Sequence, residues 1–230
     1  VYSSSENIVS DAMIFSLHEN SSYGVDSGGD PKLIPSLSYE EFKNYHKTYY
    51  HPSNSYIYLY GNQNMEEALD FIDKNYLADF DRQEINSKII LNDEIKKTKD
   101  VEITFSASKE EMKEKIDYLS KGWTIGYADS KMDVFMRDLL AELLIDAQAG
   151  PLKKAILEAG LAEDVYSETS SSLPLDLSIV LKNTDADKKD EFLKILDKTL
   201  RDLVKNGIDR DLLEATLNKF EFIFREGGGT

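Results

Sequence analysis

Residues 38–62, SYEEFKNYHKTYYHPSNSYIYLYGN, decide how this chain is read. Ser38 and Glu41 stand at capping-box spacing, where a hydroxyl and a carboxylate each take one orphan backbone N–H, so a helix is expected from Tyr39. Tyr39, Phe42, Tyr45 and Tyr49 fall on one face of it. Pro52 ends the helix, because its ring clashes with the preceding turn and it brings no N–H. His51-Pro-Ser-Asn54 makes a turn. Ser55 to Tyr60 is rich in Tyr, Ile and Leu and is expected to be a strand buried on both sides.

Outward from this stretch, the chain divides at its punctuation. Before it, Ser3-Ser4-Ser5-Glu6 is a capping cluster for a helix on Ile8, Val9, Ala12, Met13, Phe15 and Leu17. A Gly/Pro-rich loop follows, SYGVDSGGDPKLIPSL. Its Gly28-Gly29 has the composition of an anion nest, but no strand–helix phosphate signature flanks it, and a tight turn is the plainer explanation. After it, Asn64 to Phe80 reads as a helix with Met65, Ala68, Leu69, Ile72 and Tyr76 on one side. Residues 81–100 are polar, apart from Ile89-Ile90-Leu91, and read as a linker with one docking point.

A second unit begins at Val101. Val101, Ile103 and Phe105 alternate as a strand, and Tyr118 to Tyr127 is a second. Lys131 to Ala147 is an apolar helix broken at Gly150-Pro151, and Pro151 opens a short helix that ends by Gly160. Val165 to Thr169 and Leu175 to Leu181 are strands around Ser170-Ser171-Ser172. Asp187 to Lys205 turns Phe192, Ile195, Leu196, Leu200 and Leu203 inward and stops at Gly207; Asp209 caps a last helix carrying Leu212, Leu213, Leu217, Phe220 and Phe224. Strands grouped between helices predict an α+β fold with a mostly antiparallel sheet. The expected organisation is 1–80, a linker at 81–100, 101–226, and 227–230 as a flexible tail or cloning remnant.

With 43 acidic against 27 basic side chains the net charge is −16, which argues against a phosphate backbone or an anionic membrane as partner. It suits basic peptides, although an acidic surface that only confers solubility explains the charge as well. There is no cysteine, which excludes disulfides, thiolate metal sites and a Cys nucleophile, and a cytoplasmic setting is expected. No run is long and apolar enough to be expected to span a bilayer. Val1, without Met or a signal pattern, reads as an internal start.

The phrase YHKTYYHPSNSYIYLYGN resembles the segment that closes the first domain of pitrilysin/insulinase-family zinc metallopeptidases, most closely that of the presequence-protease-like subfamily. The SGGDP loop between Tyr23 and Pro35 is similar to a loop of the same subfamily. So are Leu143-Leu144-Ile145-Asp146 with Gly150-Pro151-Leu152-Lys153-Lys154-Ala155, and Glu214-Ala215 with Glu221-Phe222 and Arg225-Glu226. Gly150 departs from the Ser usual there, and Ala162 from a usual Gly. The resemblance implies the LuxS/metallohydrolase-like α+β fold, repeated in a clamshell that closes around unfolded peptide. It implies a zinc held by an inverted His-x-x-Glu-His motif and a downstream Glu, with the motif's Glu as general base.

That motif is absent here: the chain has only His18, His46 and His51, and none stands in that arrangement. The last zinc ligand is expected just before Val1-Tyr2-Ser3-Ser4-Ser5, so no catalytic, cofactor or metal residue is assigned to this chain. His46 reads as a partly buried, hydrogen-bonded helix residue and His51 as a turn residue. Glu40-Glu41, Glu66-Glu67 and Glu110-Glu111 lie near helix starts, where the dipole favours them. Three functions compete: the middle of a zinc oligopeptidase, a non-catalytic subunit on the same fold, and an unrelated acidic interaction domain. Metal analysis and the sequence preceding Val1 discriminate among them.

Overall fold

A computed structural model describes residues 4–91, 98–170 and 172–227. By their contacts the residues form two units, 1–17 with 94–230 and 18–93.

The larger unit is built on a three-stranded antiparallel sheet of β1 (Asp117–Tyr127), β2 (Asp164–Thr169) and β3 (Pro174–Thr184), in the order β1-β3-β2. Leu119 lies opposite Leu181 and Trp123 opposite Leu177, while Val165 lies opposite Leu181 from the other side. Alternation then fixes two faces. One carries Val165, Ile179 and Leu181 into the core, with Leu119 and Trp123 packed beside them. The other carries Tyr118, Gly122, Tyr166, Glu168 and Lys182.

Helices cover the apolar face. Ser130 caps α4 (Lys131–Ala141) in a capping box with Asp133, and the helix ends in a widened turn where the Ala147 N–H reaches Glu142 O at 2.8 Å. Pro151 opens α5 (Pro151–Glu158) as its spacing predicts. Leu144, Ile145, Leu152 and Ile156 from this hairpin meet Phe192 and Leu196 of α6 (Lys189–Asn206) over the sheet. Each such side chain contributes about 1.5–3 kcal/mol of burial. Gly207, at φ 83°, ends α6 in a conformation that a side chain would resist. Asp209 caps α7 (Arg210–Glu226) by accepting the Leu212 N–H at 2.9 Å. Phe220 and Phe224 of α7 pack on Phe135 of α4 at 5.5 and 6.1 Å.

The first helix, α1 (Ser5–Leu17), lies on the opposite, polar face of the sheet. Met13 sits over Gly122, Ser5 Oγ is 3.1 Å from Tyr118 Oη, and Glu6 is ion-paired with Lys182. Its apolar residues are half-buried there.

Two expected strands do not form. Val101 to Phe105 pairs with nothing among the described residues; Val101 and Ile103 are exposed, and Phe105 meets Tyr118 edge-on at 6.2 Å. Ser55 to Tyr60 likewise joins no sheet among the described residues, and Tyr56, Tyr58 and Tyr60 are 104%, 86% and 88% exposed, not buried. Alternation creates the capacity for a strand, but a ladder needs a neighbour for its N–H and C=O groups.

In the smaller unit α2 (Tyr39–Tyr49) starts as expected: Ser38 Oγ accepts the Glu41 N–H at 3.2 Å and Glu41 accepts the Ser38 N–H at 2.9 Å. Pro52–Asn54 forms a single 3₁₀ turn. Asn64 caps α3 (Met65–Ile72), which widens through Asp73–Leu77. Among the described residues of this unit only His18 and His51 are buried; every apolar side chain keeps solvent contact.

Candidate functional site

The three histidines were the only metal-ligand candidates with any claim, and each is engaged locally. His51 Nδ1 accepts the Ser53 N–H at 3.1 Å, which places its ring proton on Nε2, and its ring meets Phe80 edge-on at 5.3 Å. His18 packs against Tyr23 at 6.0 Å. His46, expected to be partly buried and hydrogen-bonded, is exposed and stacks on Tyr50 at 4.6 Å, because the α2 face that carries its neighbours is itself uncovered. Among the described residues no three His, Asp or Glu side chains come together as a metal site. This donor set does not fit a catalytic zinc, which takes about three protein ligands and an open position.

The paired glutamates act as helix starters. Hydrogen bonds from Ser38 hold the Glu41 carboxyl below its usual range, and those from Ser108 do the same for Glu111. Glu67 accepts from the Asn64 amide at 3.0 Å. The loop at Gly28-Gly29 closes on its own chain: the Gly28 N–H donates to Asp26 Oδ1 at 2.8 Å and the Gly29 N–H to Asp26 O at 3.0 Å. A carboxylate from within the loop therefore occupies the nest.

Among the described residues each unit carries a concave region. In the smaller unit a cavity of about 820 Å³ is bounded by His51, Leu77 and Phe80 and by the segment from Asp81 to Lys88. That segment is fastened to the unit: the Gln83 N–H donates to Ser53 Oγ at 3.1 Å, Ser87 Oγ to Asn54 Oδ1 at 2.6 Å, and the Ile90 N–H to Ser22 Oγ at 2.9 Å.

In the larger unit a cavity of about 380 Å³ lies between α1 and the polar sheet face, lined by Glu6, Ser10, Asp164, Tyr166, Glu168 and Lys182 among others. Burial pushes the Glu168 carboxyl above its usual range, against a hydrogen bond from Ser10, and the carboxylates of Glu6 and Asp11 push it further. Burial also raises the Tyr166 phenol, whose enclosed Oη has no hydrogen-bond partner among the described residues. Burial opposes ionisation of Asp164, but hydrogen bonds from Lys153 at 3.0 Å and the Val165 N–H at 2.8 Å outweigh it and lower that carboxyl. Most of these groups already serve one another, and no nucleophile stands beside a general base. The cavity is a polar seam that holds α1 on the sheet.

Sequence reasoning passed over two buried charged side chains, Asp176 on β3, which accepts from Thr124 Oγ1 at 2.7 Å, and Arg137. Arg137 on α4 is 5% exposed; it donates to Asp138 Oδ1 at 2.9 and 2.7 Å and to the carbonyl of Ser170 in the β2–β3 turn. The only signal was an Arg inside an apolar helix.

Comparison with known proteins places these features. The model for the peptidase M16 inactive domain matches residues 36–220. The chain is 40% identical over 227 residues to Protein HypA of Clostridium perfringens, which covers 98% of this chain and 23% of that protein. It is 32% identical to Presequence protease 1, chloroplastic/mitochondrial, of Arabidopsis thaliana, covering 98% of this chain and 21% of the relative. The chain thus spans under a quarter of these curated relatives. The crystal structure of a peptidase M16 inactive domain from Pseudomonas fluorescens superposes with a TM-score of 0.62 at 21% identity, over 93% of this chain and 50% of that one. A chain of Complex III from Candida albicans does so at 0.64 and 11%, over 96% of this chain and 52% of that one. Both show the α+β fold alone. The match over 36–220 removes the unrelated interaction domain from contention: this chain belongs to the peptidase M16 family, in the region of its inactive domain.

Proposed function

We propose that this chain is an internal, non-catalytic segment of a zinc-dependent, presequence-protease-like oligopeptidase that degrades unfolded peptides within a clamshell chamber. The observation that carries the reading is the alignment of 98% of the chain with Presequence protease 1, together with the inactive-domain match. Zinc and its ligands belong, in this proposal, to sequence before Val1. The His, Asp and Glu side chains of this chain take no catalytic step. Its part is architectural: the sheet with α4–α7 forms a rigid wall, and the surrounding domains of the same polypeptide are its partners. In the parent the proposed division is the end of one domain up to residue 80, a linker over 81–100, and the start of a second domain over 101–226.

The net charge of −16 supports unstructured, basic peptides as substrates and speaks against nucleic acid or an anionic membrane. No helix among the described residues is long and apolar enough to cross a membrane. A cytoplasmic setting is part of the proposal, motivated by the absence of cysteine. The alternative is a non-catalytic structural or peptide-binding subunit on the same fold, favoured by the inactive-domain description of the matching model.

The full-length parent decides between them. The proposal expects it to cleave a quenched, unstructured peptide and to lose that activity to a chelator. A folded parent that binds the peptide without cleaving it, with or without added zinc, establishes the alternative.

A further inference from the structure

We propose that the cavity of the smaller unit is a binding site for the C-terminal carboxylate of a peptide that ends in an apolar residue, with the buried His51 and Arg82 as its donors. The site stands on the groups around this cavity and needs neither zinc nor peptide cleavage.

His51 lines the cavity of about 820 Å³ and is itself only 8% exposed. Its Nδ1 is spent on the Ser53 N–H at 3.1 Å, so the ring offers its proton at Nε2. No acceptor meets that Nε2–H among the described residues. A buried donor without an acceptor is costly and calls for one from outside the fold.

Arg82 and Lys88 line the same cavity, and neither has an ion pair or hydrogen bond among the described residues. Asp81 and Glu84 stand in the same wall, equally without partners there. Two cations against two carboxylates leave the cavity formally neutral, which disfavours a doubly charged phosphate. A single carboxylate meets the planar guanidinium with both oxygens and keeps lone pairs for the His51 N–H.

The other walls say what carries the carboxylate. Leu77 and Phe80 add apolar surface, and the volume lies within the roughly 300–1,000 Å³ of small-ligand pockets. The side-chain amides of Gln83 and Asn86 are also unpartnered among the described residues. Peptide groups match such amides, whereas an alkyl chain leaves them unmatched. The two sides of the cavity are tied together: the Gln83 N–H and the Ser87 hydroxyl donate to Ser53 and Asn54, in the turn that His51 opens. His51 and Arg82 are thus held on joined segments, as a preformed site requires.

Calorimetric titration of the full-length parent with N-acetyl-phenylalanyl-leucine, as the free acid and as the C-terminal amide, tests this. The acid should bind about 10-fold or more tightly than the amide. Arg82→Gln should weaken the acid about 10-fold and leave the amide unchanged. Arg82→Lys should recover only part, because an ammonium lacks the fork. Arg82 is exposed and makes no internal bond among the described residues, so both variants should fold. Octanoate stands for a fatty acid and inorganic phosphate for an anion without an apolar body; neither should displace the peptide acid at equal concentration. Absence of binding, equal affinity for acid and amide, indifference to Arg82→Gln, or displacement by octanoate or phosphate each overturns the proposal. Chelator-sensitive cleavage, read in the same samples, reports separately on the proposed peptidase.

Discussion

Ser22 and Ile90 exchange two hydrogen bonds: the Ser22 N–H donates to Ile90 O at 2.8 Å, and the Ile90 N–H donates to Ser22 Oγ at 2.9 Å. A segment whose composition reads as a linker is thus tied at its apolar point, and Gln83 and Ser87 tie it again to Ser53 and Asn54. Ser22→Ala removes one acceptor at an exposed site, so a loss of about 0.5–1.5 kcal/mol is expected, confined to this fastening. Exchange at 83–91 should quicken while α2 keeps its rates. Unchanged exchange at Ile90 would show that the segment is held by something else.

The docking of α1 depends on the absence of a side chain. A Cβ at Gly122 would stand 2.4 Å from Met13 Sδ and 3.1 Å from Met13 Cγ. The thioether is flexible, so Gly122→Ala should cost only about 1–3 kcal/mol. Met13→Ala should remove the clash, making the double variant less destabilised than the sum of the singles. Additive losses in urea denaturation would place the conflict elsewhere.

Arg137 joins α4 to the β2–β3 turn through the Ser170 carbonyl, while Ser170 Oγ donates to Pro174 O at 2.7 Å. Arg137→Ala leaves a partly buried acceptor without its donor and should lower stability by about 1–3 kcal/mol. Arg137→Lys should recover only part, because an ammonium cannot reproduce the fork that also holds Asp138. Full recovery by Lys would mean that charge alone matters.

Glu168 sets a pH dependence whose sign can be worked out. Burial raises its carboxyl in the folded protein, so the unfolded chain ionises first as pH rises. Its contribution to stability is whole below the ordinary glutamate range and is lost as pH climbs through the raised value. Glu168→Gln should therefore gain stability over the natural protein at neutral pH, and the difference should shrink towards acid. Urea melts at both ends of that range check it; a difference that does not change with pH contradicts the assignment.

What the sequence made legible was local. Ser38 with Glu41, Pro151, Gly207 and Asp209 act within a few residues through backbone geometry, and each stands where its chemistry requires. Pairing was not legible. Val101–Phe105 and Leu175–Leu181 both look like strands, but only the second finds neighbours, and alternation carries no information about a partner. The grouping of α1 with the sheet joins residues far apart in sequence: Glu6 with Lys182, 176 residues on, Ser5 with Tyr118 and Met13 with Gly122. Arg137 drew no reading, because the carbonyl that receives it comes from a turn 33 residues away. No active centre was read from the sequence; Glu41 serves a helix cap, His51 a turn, and His18 and His46 ring contacts with Tyr23 and Tyr50.

Zinc stoichiometry, by elemental analysis of the full-length parent beside this 230-residue chain, bears most directly on the proposed division of labour. Metal bound in proportion to protein in the parent, and not in this chain, is the expected result. Tightly held stoichiometric zinc in this chain alone would contradict it.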